Sequence, residues 1–375
     1  MASVYTPGLK IVAKTLFHKD RKLPMKGKVH AGKDDAVKSE TVVASTQLPG
    51  NVTPVNVANL LNIEPKEIPD FMKKKVGDTI MKGDMIAESP GLFGFFKTKI
   101  FAPISGTIES ISAITGQLIC REPPLPVEVH GYVDGWVDEV YPEEGIRVAT
   151  IASFIQGIFG IGGEVTAPLC MVVKSPAEVL DEPSLSVEHK GKIVVGGSLV
   201  TARALKRAVE LGIKGVVVGG YDAQDLKDFL GYDLGVAITG TEDKNITLVV
   251  TEGFGKIEMA KKTFDLLANC VGKKTSINGA TQIRAGVIRP EVVIPLDDHK
   301  KVEEKETEVS MGMKIGSTIR IIREPKFGSV ARVVALPEKP MIIATEAKVR
   351  IVEVQIISSG QKITLPRANV EIIEE

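Results

Sequence analysis

The chain has 375 residues but only three cysteines, Cys120, Cys170 and Cys270, too far apart to form a CxxC pair. That spacing excludes a disulfide framework and a cysteine zinc site, and it fits a reducing compartment, so a soluble cytoplasmic protein is expected. The five histidines (His18, His30, His130, His189 and His299) show neither HxH nor i,i+4 spacing, which removes a local zinc motif. Net charge is missing too: Lys+Arg and Asp+Glu both total 47. A general nucleic-acid binder carries a basic excess that this chain lacks. There is no Walker A loop and no G-x-S-x-G elbow, and no nucleophile–base pair can be assembled. No catalytic residue, metal or cofactor is therefore expected. The start of the chain has no signal-peptide shape. The one long apolar run, 151–173, carries Gln156, Glu164, Pro168 and several glycines. It reads as a buried strand–turn–strand, and no membrane span is expected.

What is abundant is glycine (36), with 43% hydrophobic residues and only 5% aromatics. Many glycines among Val and Ile runs indicate short strands and tight turns. The length implies two to four domains, and the fold class expected is multi-domain α/β plus β. Residues 1–72 read as an N-terminal arm, with a Lys-, Gly- and Asp-rich surface stretch at 19–38 and short helices at 56–61 and 65–72. A β-rich unit follows at 73–173. Its run Gln156-Gly157-Ile158-Phe159-Gly160-Ile161-Gly162-Gly163 offers either an anion-binding nest or close backbone packing.

At 187–296 the periodicity changes to a central three-layer α/β domain. Strands are predicted at 191–197, 215–220, 236–239, 246–251 and 286–295. Helices are predicted at 200–211, closed by Gly212, at 222–230, capped by Asp222, and at 256–269. Ligands of open α/β sheets sit beyond the carboxyl ends of the strands. Glu252, Asn278, Gln282, Arg284 and Arg289 are the polar residues expected near that edge. They either bind a small anion or order an inter-domain seam, and both readings stay open. Gly196-Gly197-Ser198 poses the same choice between a phosphate cradle and tight packing. A charged connector at 297–311 leads to a C-terminal unit at 312–375.

Two stretches carry family resemblances. In 73–121, Val76-Gly77-Asp78, Lys82-Gly83-Asp84 and Ala102-Pro103-Ile104-Ser105-Gly106 resemble the biotinyl/lipoyl-type barrel-sandwich hybrid. The N-terminal modules of the Rnf-complex C subunit and of the sodium-pumping quinone reductase A subunit are the nearest in kind. The resemblance implies a carrier lysine at a hairpin tip, but Phe93, Phe95 and Phe96 stand there instead. No covalent biotin or lipoate is expected, and the aromatic tip becomes a candidate partner-docking surface. In 316–373, the Gly316-Ser317-Thr318-Ile319-Arg320-Ile321 opening, the Pro325-Lys326-Phe327-Gly328 turn and the Pro366-Arg367-Ala368-Asn369-Val370-Glu371 end resemble the KOW module of NusG-type factors, an SH3-like barrel. Ala331 departs from the family's usual glycine. Arg320, Pro325, Phe327 and Gly328 are the barrel residues this resemblance marks.

The leading functional expectation is a non-catalytic scaffold that binds proteins, including copies of itself. A KOW barrel implies RNA, ribosome or transcription-machinery contact as the first alternative. Residues 312–375 carry ten Lys+Arg against seven Asp+Glu, a mild excess of three. An accessory subunit of a redox or carboxylation complex, or a small-ligand sensor, is the other alternative.

Overall fold

The computed structural model describes all residues except 1–8, 90–96, 233–243, 282–287, 297–312, 322–325, 327–328, 338–339, 343–347, 358 and 373–375. The chain is mostly strand, arranged in several sheets. The largest sheet has thirteen strands. Eleven of them are β1 (Ile11–Lys22), β2 (Ala36–Val37), β3 (Gly135–Tyr141), β4 (Gly145–Gln156), β5 (Phe159–Ile161), β6 (Glu164–Met171), β7 (Ile193–Val195), β8 (Gly215–Tyr221), β9 (Thr247–Phe254), β10 (Lys274–Asn278) and β11 (Glu291–Pro295). Their order is β5-β9-β8-β7-β6-β10-β11-β4-β3-β2, with β1 on the free side of β4. Leu199–Val200 joins through Tyr221, and Val179–Leu180 pairs with it.

Strands β6 to β9 are parallel, and the rest of the path is antiparallel. The sequences explain this division. Every residue of β8, GVVVGGY, is buried, as expected of a parallel strand covered on both faces. Its valines alternate: Val216 and Val218 join one apolar cluster while Val217 joins the other. Helices α1 (Ala202–Leu211) and α2 (Ala223–Leu230) fill the first cluster through Ala204, Leu205, Ala208, Leu226 and Leu230. Helix α3 (Lys261–Ala268) fills the second through Phe264 and Leu267. The Thr201 hydroxyl caps α1 by accepting the Ala204 N–H, and Gly212, at φ 73°, ends it. Asp222 caps α2 as its position predicts.

Strand β4 is the strut of the sheet. Its first half pairs with β3 and its second half with β11, while β1 runs along its whole opposite edge, from Ile11↔Ile155 to Lys22↔Gly145. The segment read as an arm thus contains a twelve-residue strand. Phe17 stacks on Phe154 at 5.3 Å and packs against the Val37/Val43 cluster, which is why β1 is held. The sheet also includes strands on both sides of the Pro- and Glu-bearing stretch 174–186. The apolar run 151–173 lies in β4, β5 and β6. Among the described residues, no helix is long and apolar enough to cross a membrane.

Several smaller sheets accompany it, among them a three-stranded sheet of Lys28–Val29, Val42–Leu48 and Leu125–His130 and two β units with cores of their own. Val52–Asn56, Gln117–Arg121, Gly106–Ile111 and Thr79–Ile80 form a four-stranded sheet. With the pair Met85–Glu88/Lys99–Phe101 it encloses a core of its own around Ile68, Ile80, Ile86, Ile108 and Leu118. At the other end, β12 (Thr318–Ile321), β13 (Val330–Ala335), β14 (Ile351–Ile356), β15 (Lys362–Pro366) and β16 (Val370–Ile372) pair in the order β15-β14-β13-β12-β16. Alternate residues Ile319, Ile321, Val352, Val354 and Val370 make its core. Ala331 is fully buried there.

Candidate functional site

The carboxyl ends of β7, β8 and β9 lead into Gly196-Gly197-Ser198, Tyr221-Asp222 and Gly255-Lys256. Glycine lets these loops close on one another. A Cβ built on Gly220 would lie 2.1 Å from the Gly255 carbonyl oxygen and 2.9 Å from that of Ser198. One on Gly219 would lie 2.5 Å from the Ile257 oxygen, and one on Gly197 2.3 Å from the Glu178 oxygen. The backbone groups bond across the loops: Gly219 N–H to Gly197 O at 2.8 Å, Gly255 N–H to Tyr221 O at 2.7 Å and Ile257 N–H to Ser198 O at 3.1 Å. The buried Ser198 hydroxyl donates to Ala177 O at 2.7 Å. Gly196-Gly197-Ser198 is therefore a packing element, and α1 starts beyond it on the Thr201 cap. The Gly157–Gly163 run behaves likewise. Gly160 leaves room for Gly279 and Leu248 carbonyls at 2.6 Å, and its N–H donates to Thr281 Oγ1 at 2.9 Å.

Glu252 lies at this edge and is 3% exposed. Its carboxylate accepts the Ala260 N–H at 3.0 Å and is ion-paired with the Arg320 guanidinium. Arg320 also donates to the Glu252 carbonyl at 3.1 Å. Arg320 belongs to β12, so the pair joins the parallel sheet to the C-terminal sheet. Two more buried charges extend it. Arg320 Nη1 lies 3.6 Å from Glu371 Oε1, and Arg289 Nη1 lies 3.6 Å from Glu371 Oε2. Among the described residues, neither Arg289 Nη1 nor Glu371 Oε1 has a hydrogen-bond partner. Burial pushes the Glu371 carboxyl above its ordinary range, against the opposing pull of Arg320 and Arg289.

Of the five edge residues expected from sequence, Glu252 and Arg289 thus come together through this network. Asn278 turns to its own loop, where its Oδ1 accepts the Ala280 N–H at 2.9 Å. Gln282 and Arg284 lie outside the described residues. So do the Phe93, Phe95 and Phe96 tip, the 236–239 strand, the 297–311 connector, and Pro325, Phe327 and Gly328. Glu371 was legible only as part of a terminal strand motif, since nothing local marks it as a partner of Arg289.

A second charged constellation has no sequence signal at all. A cleft of about 530 Å³ is lined by Arg21, Glu40, His130, Tyr132, Glu164 and Lys274, among others. Arg21 grips Glu164 with two 2.7 Å bonds and donates to the His130 carbonyl at 2.6 Å. Lys274 donates to Glu40 and Asp134, each at 2.8 Å. Lys274, helped by Ser39, lowers the Glu40 carboxyl to about 2. Burial lowers Lys274 itself, but Asp134 and Glu40 outweigh it and raise the ammonium. Tyr132, at φ 70°, lies under the Lys19 and Arg21 cations, 5.0 and 5.4 Å from its ring centroid. Its buried hydroxyl sits beside Glu291 without a hydrogen bond of ordinary geometry, and burial raises its pKa well above the usual tyrosine value. The pairs Arg21–Glu164, Lys274–Glu40 and Lys19–Glu291 each tie the N-terminal strands to β6, β10 or β11. Chemically, both constellations are ionic joints between structural units. Among the described residues no group of three or more His, Cys, Asp or Glu side chains is placed to hold a metal. A scan against protein-family models and a search of curated proteins each return no match for this chain.

Proposed function

We propose that this chain is a non-catalytic assembly protein that docks protein partners, further copies of itself included, through the β unit at 52–121. The observation that carries this reading is where large apolar side chains remain in water. Sixteen are exposed among the described residues, and six of them (Val52, Leu60, Val76, Met81, Phe101 and Ile114) fall in this unit. The unit is only about a fifth of the chain, so the share is roughly twice what an even spread would give. An excess of exposed apolar side chains in one unit favours a contact surface there. Phe101 is 54% and Met81 69% exposed. Phe101 ends the strand that pairs with Met85–Glu88, and Phe93, Phe95 and Phe96 fall between the two strands in sequence. The barrel-sandwich reading of this unit, with an aromatic tip in place of a carrier lysine, fits docking rather than group transfer. The ionic joints support the same reading, because charges committed to partners within the chain stiffen a platform instead of awaiting substrate.

Photo-crosslinking from positions 81 and 101 in native-host extract tests it. Specific adducts from both positions, absent from a control probe at exposed Lys206, are expected. A chain that stays monomeric by light scattering and gives no adduct beyond the control would overturn it.

A second reading keeps the C-terminal unit as the contact module. Its strand order, β15-β14-β13-β12-β16, with the last strand beside the first, supports reading it as an SH3-like barrel of KOW type. Salt-sensitive cosedimentation with ribosomes would favour RNA as its target, and its absence at low salt would remove that reading.

A further inference from the structure

We infer that the C-terminal β12–β16 unit is a latched appendage, held on the parallel sheet by the Glu252–Arg320–Glu371–Arg289 charge network and releasable as an intact body. The first ground is that the cores are separate. Among the described residues, every apolar side chain packed in the C-terminal core comes from 313–370, and none comes from the parallel sheet. Conversely, among the described residues neither cluster of the parallel sheet contains one beyond Ile294. A permanent docking surface would share apolar side chains across the joint.

The second ground is the chemistry of what does cross. Two guanidiniums and two carboxylates meet there, with Arg320 reaching both carboxylates and the Glu252 backbone carbonyl. Three of the four side chains are at least nine-tenths buried: Glu252, Arg320 and Glu371, with side-chain exposures of 4%, 7% and 2%. Arg289 is 13% exposed. A buried ion pair gains little net over its hydrated, separated partners, yet removing one partner strands the others in a dry site. Such a joint is close to balance when complete and opens when one charge is lost.

The third ground is imperfect closure. Arg289 Nη1 and Glu371 Oε1 have no hydrogen bond among the described residues, at 3.6 Å separations, so hydration on release supplies bonds that docking withholds. The release surface is the carboxyl edge of β9, which the C-terminal unit covers at Glu252. An agent that neutralises or captures Arg320 would uncover it without unfolding either body.

The test is backbone hydrogen exchange on the full chain, comparing wild type with Arg320→Met, which keeps volume, and Glu252→Gln, which keeps shape. The Ala260 amide, which donates to Glu252, reports the joint. Amides of Val216–Val218 and Val352–Val354 report the two cores. Both variants are expected to exchange at least about tenfold faster at the joint, with both cores still protected, and to give a larger radius of gyration in solution scattering. Unchanged exchange and radius would overturn the latch. So would loss of protection in the C-terminal core together with the joint, because the contact would then be part of a single cooperative fold. Arg289→Lys, which keeps the charge, is expected to stay docked, and its release would also count against the network.

Discussion

Gly220→Ala offers a direct measure of how tightly the carboxyl edge of the parallel sheet is closed. The new methyl would stand 2.1 Å from the Gly255 carbonyl oxygen, 1.3 Å short of an ordinary 3.4 Å contact, with the Ser198 oxygen at 2.9 Å and the Ile257 nitrogen at 3.1 Å. All three obstacles are backbone, so no side chain can rotate away. The loop after β9 must move, and the 2.7 Å bond from Gly255 N–H to Tyr221 O goes with it. Overpacking costs about 1–3 kcal/mol, and a lost buried hydrogen bond adds about 1 kcal/mol, giving about 3 kcal/mol in all.

Two controls calibrate that figure. Gly163→Ala meets nothing within 4 Å and has no left-handed backbone, so its effect should be near zero. Gly231→Ala also meets nothing but sits at φ 84°, which costs about 1 kcal/mol. Urea midpoints of the main unfolding transition, at constant m-value, should therefore rank Gly163→Ala, Gly231→Ala and Gly220→Ala in rising cost. If Gly220→Ala fell within about 0.5 kcal/mol of Gly163→Ala, the loops would be open, and a ligand site at this edge would return to consideration.

Other outcomes follow from single contacts. Thr201→Ala removes the α1 cap and the 2.7 Å bond from Thr201 Oγ1 to Asp181. It should cost about 1–2 kcal/mol by chemical denaturation, while Thr201→Ser should recover most of it. Leu118→Ala empties a fully buried position in the 52–121 core, for a loss of about 2–5 kcal/mol. Hydrogen exchange should show that loss in 52–121 and leave β7–β9 unchanged. The Glu40–Lys274 pair sets a pH window. Because the folded Glu40 value is lowered from 4.5 to about 2, its contribution is complete above the ordinary value and fades as pH falls through the folded one. Lys274→Ala should return the Glu40 titration, followed by carboxyl NMR, toward 4.5; a midpoint still near 2 would refute the assignment.

The buried parallel strands were the easiest part of this chain to read. β8 is an unbroken GVVVGGY run, and α1 and α2 carry Thr201, Gly212 and Asp222 where local chemistry requires caps. What escaped were features whose partners lie far away in sequence. β1 reads as a charged arm because its alternation, IVAKTLFHKDRK, becomes legible only beside β4. β10 was missed because Lys274–Asn278 is short and polar at both ends. The candidate site followed the same rule. Glu252 was visible as a carboxylate after a strand, but its partner Arg320 is 68 residues away. Arg21 and Glu164 are 143 residues apart, and no local pattern relates such residues.

The strut β4 also dictates when this protein can finish folding during synthesis. β1 leaves the ribosome first, but its partner spans residues 145–156, so the opening strand must wait for more than a hundred residues without a mate. β11, which covers the other half of β4 and bridges it to β10, arrives only at residues 291–295. Until then the hydrogen-bonded path from the N-terminal strands to the parallel strands is incomplete. Waiting strands with unpaired edges invite wrong pairings. Pausing or chaperone engagement while residues 23–144 emerge would therefore affect the yield of folded chain more than the same delay near its C-terminus.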